Sequence, residues 1–143
     1  MGNIKVQFYD KVQDEYVKFV VIVSCYQGKW VFVKHKERDT YEIPGGHREK
    51  GEILLEAAKR ELEEETGAYR YFIQPIISYS VIGKTSVNQT GEESFGMLFL
   101  ADIKEFTDIH SEIEKMELFD DLPEHLTYPD IQPQMIHYIK DRK

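Results

Sequence analysis

Gly46-His47-Arg48-Glu49-Lys50-Gly51-Glu52, followed after Ile53 to Lys59 by Arg60-Glu61-Leu62-Glu63-Glu64-Glu65-Thr66-Gly67-Ala68, is the stretch on which the reading of this chain turns. Leu54, Leu55, Ala57, Ala58 and Leu62 recur at the spacing of one helical face. Gly67 is a natural stop just past a helix end. The pattern predicts a helix from Gly51 or Glu52 to Thr66. Its last turn carries Glu63, Glu64 and Glu65, at the negative end of the helix dipole. Like charges three and four residues apart add a repulsion of a few tenths of a kcal/mol per pair, roughly 0.2–0.5. A sequence that keeps acid there is expected to hold a cation. Glu61, Glu64 and Glu65 stand at i, i+3 and i+4, so their carboxylates share a face. Hard divalent ions take oxygen ligands, and Mg²⁺ keeps several waters while also binding substrate phosphates. Three acids alone also suit a solvated helix face, so the residues around them decide.

Those residues are Gly46, Glu52, Arg60, Glu61, Leu62, Glu64, Glu65, Gly67 and Ala68. With their gaps they fill every fixed position of Gly-x5-Glu-x7-Arg-Glu-Leu-x-Glu-Glu-x-Gly-Ala, and the pattern resembles the Nudix box of the Nudix hydrolases. The preceding Tyr41-Glu42-Ile43-Pro44-Gly45-Gly46 is similar to the strand-to-loop entry of MutT-type members. The likeness extends over Val17 to Tyr138 and is specific from Tyr41 to Ala68. It implies an α/β fold, an α/β/α sandwich in which a mixed sheet lies between helices and the box forms a loop-helix-loop.

The rest of the chain fits one such domain over residues 1–143. Ile4 to Tyr9 alternates weakly and reads as an edge strand. Val17 to Ser24 is a β-branched apolar run expected to be a buried strand. Gln27-Gly28-Lys29 is a turn, and Trp30 to Val33 the returning strand of a hairpin. His35 to Thr40 reads as a charged loop, and Pro44-Gly45-Gly46 as the irregular start of the motif loop. Arg70 to Ile82 is a strand with Pro75 at an edge or bulge. Phe95 to Ile103 and Ile113 to Phe119 are further strands, and Ile131 to Lys140 a closing helix.

Composition narrows the function. The formal charge of −8 argues against a nucleic-acid-binding surface, because phosphate backbones attract basic patches. No apolar run approaches a membrane span and no signal-peptide pattern opens the chain. The lone Cys25 forms no disulfide framework and is expected to be a small buried hydrophobe. These features point to the cytoplasm, with no membrane partner; monomer and homodimer both remain open.

The resemblance implies hydrolysis of a nucleoside diphosphate linked to another moiety, with Mg²⁺ or Mn²⁺ as cofactor and a small nucleotide as partner. Carried onto this sequence, it makes Glu61, Glu64 and Glu65 metal ligands and catalytic groups. Arg60 is expected to orient Glu61 or Glu52, and Glu52 to hold the loop or a water. Gly45 and Gly46 bring backbone close to metal or phosphate. A further carboxylate comes from a later loop, best matched by Glu112 and next by Glu114, although the usual Trp-Phe is Leu118-Phe119 here. Tyr128-Pro129-Asp130 falls where a purine edge is read, and Asp130 there would accept from a base N–H; an Asp that caps the next helix would look the same. Lys34, His35 and Arg38 are within reach of phosphates but read more plainly as a charged loop. The implied substrate is a nucleoside triphosphate, with an oxidised purine such as 8-oxo-dGTP as one form. Nucleotide-sugar or dinucleoside polyphosphate hydrolysis is the alternative, and a nucleotide-binding regulator without turnover is the alternative from another class.

Overall fold

Val17–Tyr26 forms β2, the strand on which the sheet is built, and it has apolar residues on both sides. In a strand successive side chains point to opposite faces. Val20 and Ile22 therefore face one core, with Val31, Leu62 and Phe99, while Val23 faces another, with Phe32, Leu98 and Met135. A strand covered on both faces needs a continuous apolar run rather than alternation, which is what the sequence carries. The computed structural model describes residues 4–83, 91–107 and 113–141.

The remaining strands are β1 (Lys5–Tyr9), β3 (Lys29–His35), β4 (Gly45–His47), β5 (Ala68–Ile82), β6 (Ser94–Phe106) and β7 (Ile113–Phe119). The helices are α1 (Leu54–Thr66) and α2 (Gln132–Asp141). The strand order is β1-β5-β6-β2-β3-β7, with β4 paired to β2. β2 and β6 run parallel and the other pairings are antiparallel, so the sheet is mixed. α1 packs on one face through Ala57, Ala58 and Leu62, and α2 on the other through Met135, Ile136 and Ile139. This is the expected α/β/α sandwich. Among the described residues no helix is long and apolar enough to cross a membrane.

Three local expectations change. The sequence predicts an irregular Pro44-Gly45-Gly46, yet Gly45 and Gly46 pair antiparallel with Val21 and Val20 in β4. A Cβ on Gly45 would fall 2.4 Å from the Val20 carbonyl oxygen, so this pairing requires the glycine that argued against a strand. Helix α1 begins at Leu54 rather than Gly51 or Glu52. Gly51 has φ of 79°, a left-handed conformation outside the helical range. Cys25 is half-buried near the end of β2, opposite Trp30, rather than in the core. Pro75 does sit beside a register shift, between Pro75 and Ile77.

Candidate active site

The acidic end of α1 is held against β4 by its own apolar stripe. Burial of Ala57, Ala58 and Leu62 fixes the helix rotation, and that rotation turns Glu61 and Glu65 toward the Gly45–Gly46 backbone. Gly67, in the left-handed region at φ 78°, ends the helix and donates its N–H to the Glu63 carbonyl. The Gly45 N–H donates to Glu65 Oε1 at 3.0 Å. A Cβ on Gly46 would lie 1.7 Å from Glu61 Oε2, so the missing side chain is the space the carboxylate occupies. Glu64, on the same face, has a side chain 53 % exposed, against 12 % for Glu61 and 11 % for Glu65.

Arg60 ties the loop to the helix. Its Nε and Nη2 donate to the two Glu52 oxygens at 2.7 and 2.9 Å, and Nη2 also donates to the His47 carbonyl at 3.1 Å. Nη1 lies 3.5 Å from Glu61 and 3.6 Å from Glu64. Two parallel charged hydrogen bonds give geometric definition as well as energy. Arg60 and the Glu49 N–H hold the Glu52 carboxyl down at about 2. A carboxyl lowered on folding contributes stability above its ordinary range, and that stability is lost as pH falls toward about 2. Glu52→Gln is therefore expected to lower stability at pH 7 by about 1–2 kcal/mol, a difference that closes in acid. Thermal unfolding at pH 7 and pH 2.5 checks this.

Glu61 and Glu65 lie the other way. Burial pushes Glu61 up to about 7, against the pull of Arg60 and with repulsion from Glu64. Burial pushes Glu65 up to about 8, opposed by the Gly45 N–H and helped by repulsion from Glu61 and Glu42. Glu42 is itself buried, with Arg38 Nη1 donating to its Oε1 at 2.9 Å. His35 Nε2 lies 3.6 Å from Glu42 Oε2 and 3.7 Å from Glu65 Oε2. Buried carboxylates that repel one another are an environment a divalent cation relieves, and their oxygens are the donors it prefers. The donor set thus fits such an ion. Among the described residues no three His, Cys, Asp or Glu side chains are arranged to hold a metal unaided. Water, backbone carbonyls and substrate phosphates would complete its shell, as Mg²⁺ favours.

Beside this cluster opens a cavity of about 130 Å³ between the sheet and α2. Gly45, Gly46 and Glu42 form its border with the acidic cluster, and Phe19, Tyr79, Tyr128 and Met135 contribute apolar and aromatic surface. An enclosed cavity of about 150 Å³ binds benzene; at about 130 Å³ this one is smaller, so it takes part of a flat ring and leaves the remainder outside. A Cβ on Gly96 would lie 2.4 Å from Tyr79 Cζ, so that glycine lets the Tyr79 ring lie flat against β6.

The structure thus brings Glu52, Arg60, Glu61, Glu64, Glu65, Gly45 and Gly46 together. Glu112 lies outside the described residues; Glu114 lies in β7, and its side chain is outside them too. Asp130 is exposed and absent from the cavity lining. It sits in the turn before α2, where its carbonyl accepts from Gln134 Nε2. Sequence reading passed over Glu42 and Gln132. The available signal for Glu42 was a charged residue inside an apolar strand entry, since buried Glu is nearly always partnered.

A family model described as NUDIX domain matches residues 16–140. A proposed 8-oxo-dGTP diphosphatase of Bacillus subtilis (strain 168), YtkD, is 32% identical over 128 residues, spanning 88% of this chain and 77% of that protein. The crystal structure of the Bacillus subtilis pyrophosphohydrolase BsRppH, solved as a glutamate-to-alanine mutant, is similar at a TM-score of 0.76 and 28% identity, over 96% of this chain and 90% of that one. The NUDIX domain of Shewanella oneidensis NrtR, solved with ADP ribose, has a TM-score of 0.68 at 15% identity, over 88% of this chain and 87% of that one, a likeness of fold alone.

Proposed function

The chain belongs to the NUDIX family, and we propose that it is a divalent-metal-dependent pyrophosphohydrolase that cleaves a purine nucleoside triphosphate, normal or oxidised, to the monophosphate and pyrophosphate. We assign this activity to one domain over residues 1–143. The observation that carries the substrate reading is the apolar, aromatic-lined cavity sharing Gly45 and Gly46 with the acidic end of α1. A base seated there lies beside the carboxylate cluster, so its phosphates have a short path to the acids. The relative described as an 8-oxo-dGTP diphosphatase supports a purine triphosphate.

Each residue has a distinct task in this reading. Glu61 and Glu65 would hold the metal, and Glu64 and, on sequence pattern alone, Glu112 would contribute further oxygens. Mg²⁺ or Mn²⁺, when bound, offsets charge on the phosphate oxygens and acidifies the attacking water. The general base falls among the same four acids. Arg60 orients Glu61 while Glu52 fixes Arg60, so that the carboxylate keeps one position. The Gly45 N–H does the same for Glu65. Positioning and electrostatics of this kind make up most of the protein's share in phosphoryl transfer.

Chelation of divalent ions is expected to abolish hydrolysis, and Mg²⁺ or Mn²⁺ to restore it; turnover that survives exhaustive chelation would end the metal reading. A panel of nucleoside triphosphates, nucleotide-sugars and dinucleoside polyphosphates, with products identified, tests the substrate. Monophosphate and pyrophosphate from purine triphosphates are the expected products. Higher kcat/KM on a nucleotide-sugar, or binding without turnover, would replace the reading.

A further inference from the structure

Arg48 stands at a position that the box pattern leaves free, in the loop between β4 and α1. Its side chain is 17 % exposed and reaches two distant stretches of main chain. Nε donates to the Glu52 carbonyl at 2.7 Å. Nη1 donates to the carbonyls of Asp14 and Val17 at 2.8 and 3.2 Å, and Nη2 to Asp14 Oδ2 at 2.6 Å. The Arg48 N–H donates to the Lys18 carbonyl at 2.8 Å, carrying the β2–β4 contact one residue past His47. Val17 is fully buried at the start of β2, so one end of this clamp is the packed centre of the sheet. The other end is Glu52. Ile53, at the N-cap of α1, gives the helix no side-chain cap, and the approach to the helix is held by these bonds instead. Glu52 is where two arginines meet: Arg48 holds its main chain and Arg60 its carboxylate. The Glu52 N–H donates to the Glu49 carbonyl and the Glu49 N–H to Glu52 Oε1, both at 3.0 Å.

We infer that Arg48 is a positioning residue for the metal centre: its guanidinium fastens the Glu52 main chain to the start of β2, and so fixes the Glu52–Arg60 pair that orients Glu61. The inference rests on the proposed metal-dependent reaction. Arg60 Nη1 lies 3.5 Å from Glu61, and it keeps that place only if the carboxylate gripping its other nitrogens keeps its own. An Arg–Asp ion pair at the surface would contribute little, and the Asp14 side chain is 67 % exposed. The main-chain carbonyls of Asp14, Val17 and Glu52 are a different matter, because they remain acceptors whatever the charge at Asp14. A guanidinium presents donors on three nitrogens in a rigid plane, and that plane spans both segments. A lysine ammonium keeps the charge but donates from a single nitrogen, so it cannot hold both together. Charge and geometry are thus separable at this position. Groups that hold metal ligands from behind are worth about 10–100-fold in metal affinity or activity.

The test uses the whole protein with Arg48→Lys, Asp14→Asn, Glu52→Gln and the Arg48→Lys/Glu52→Gln double variant. Mn²⁺ binding is measured by calorimetry on the metal alone, and kcat and KM on dGTP and 8-oxo-dGTP, all well below the unfolding temperature of each variant. Arg48→Lys is expected to bind Mn²⁺ about tenfold more weakly and to lose about 10–100-fold in kcat, with KM near that of the parent. Asp14→Asn keeps the main-chain acceptors and should bind Mn²⁺ and turn over as the parent does. The double variant should bind Mn²⁺ no more weakly than Glu52→Gln alone, because Arg48 acts through Glu52. An arginine that only stabilises the fold would lower Tm in Arg48→Lys and leave kcat and Mn²⁺ affinity at parental values; that result overturns the proposal. So do losses that add up in the double variant, or a loss in Asp14→Asn equal to that in Arg48→Lys. Should Arg48→Lys not fold, Arg48→Gln replaces it with the same expected losses and the same overturning results. If Mn²⁺ affinity falls as expected but neither triphosphate is hydrolysed by the parent, Arg48 keeps its role and the triphosphatase reading falls. If the parent hydrolyses them and Arg48→Lys matches it in rate and Mn²⁺ affinity, the reverse follows.

Discussion

Glu65→Gln is expected to lower kcat about 10³-fold or more while making the metal-free protein more stable at alkaline pH. The catalytic loss follows from removing one charge from the centre. Metal charge stabilisation supplies several kcal/mol, and each 1.36 kcal/mol is tenfold in rate. The gain in stability follows from the apo site. Burial and the neighbouring Glu61 and Glu42 raise the Glu65 carboxyl from 4.5 to about 8. A carboxyl raised on folding binds its proton more tightly in the folded state. Its contribution is complete below about pH 4.5 and is lost as pH rises through about 8. Glutamine does not ionise, and its oxygen still accepts the Gly45 N–H. The variant should therefore match the parent at pH 4 and exceed it at pH 8 by about 1–2 kcal/mol, or roughly 3–6 °C in Tm. Saturating Mg²⁺ should reverse that order, since it binds and stabilises only the protein with intact acids. A variant with parental kcat, or one that loses stability at pH 8 without metal, would show that Glu65 belongs to an ordinary surface face.

That prediction separates what is legible in the sequence from what is not. The crowding of Glu63, Glu64 and Glu65 at a helix end is a local fact, and helical spacing alone puts Glu61 and Glu65 on one face. Strand and helix assignments were legible for a similar reason: β2 and β6 are apolar on both faces, and α1 and α2 each carry one stripe. Partners distant in the chain were not legible. Glu65 meets Gly45 across 20 residues, and Ile43 meets Gln132 across 89. Nothing in the local pattern of Gln132-Pro133-Gln134 marks the first glutamine as buried and the second as exposed. Asp130 shows the same limit from the other side. Its residue type suits a base-reading acceptor, but the turn before α2 sets it outside the cavity, and two residues further the helix turns Gln132 in. The strand β4 was missed because glycine lowers strand propensity in isolation. Its pairing depends on how close β2 comes, and that distance is not a property of the motif loop.

Gly46→Ala is expected to fold and to lose activity about 100-fold or more, whereas Gly45→Ala should lose stability first. The added atom is the same in both, and what it meets decides the outcome. At Gly46 the new methyl would overlap Glu61 Oε2 at 1.7 Å and Cδ at 2.6 Å. These are the far end of a mobile side chain, so the carboxylate can swing away at small cost to the fold. Swinging away removes it from Arg60 and from Glu65, and misplacement by about 1 Å can cost about 10²-fold in rate. At Gly45 the methyl would meet backbone instead, 2.4 Å from the Val20 oxygen and 3.1 Å from the Val21 Cα. Neither atom can move without opening the β2–β4 pairing. Thermal unfolding with and without Mg²⁺ distinguishes the two. Gly46→Ala should keep a Tm near that of the parent without metal and lose most of the metal-induced rise. Gly45→Ala should show a lower Tm in both conditions. Parental kcat in Gly46→Ala would mean that Glu61 works from a position clear of Gly46, and that the close packing of carboxylate on glycine has no part in catalysis.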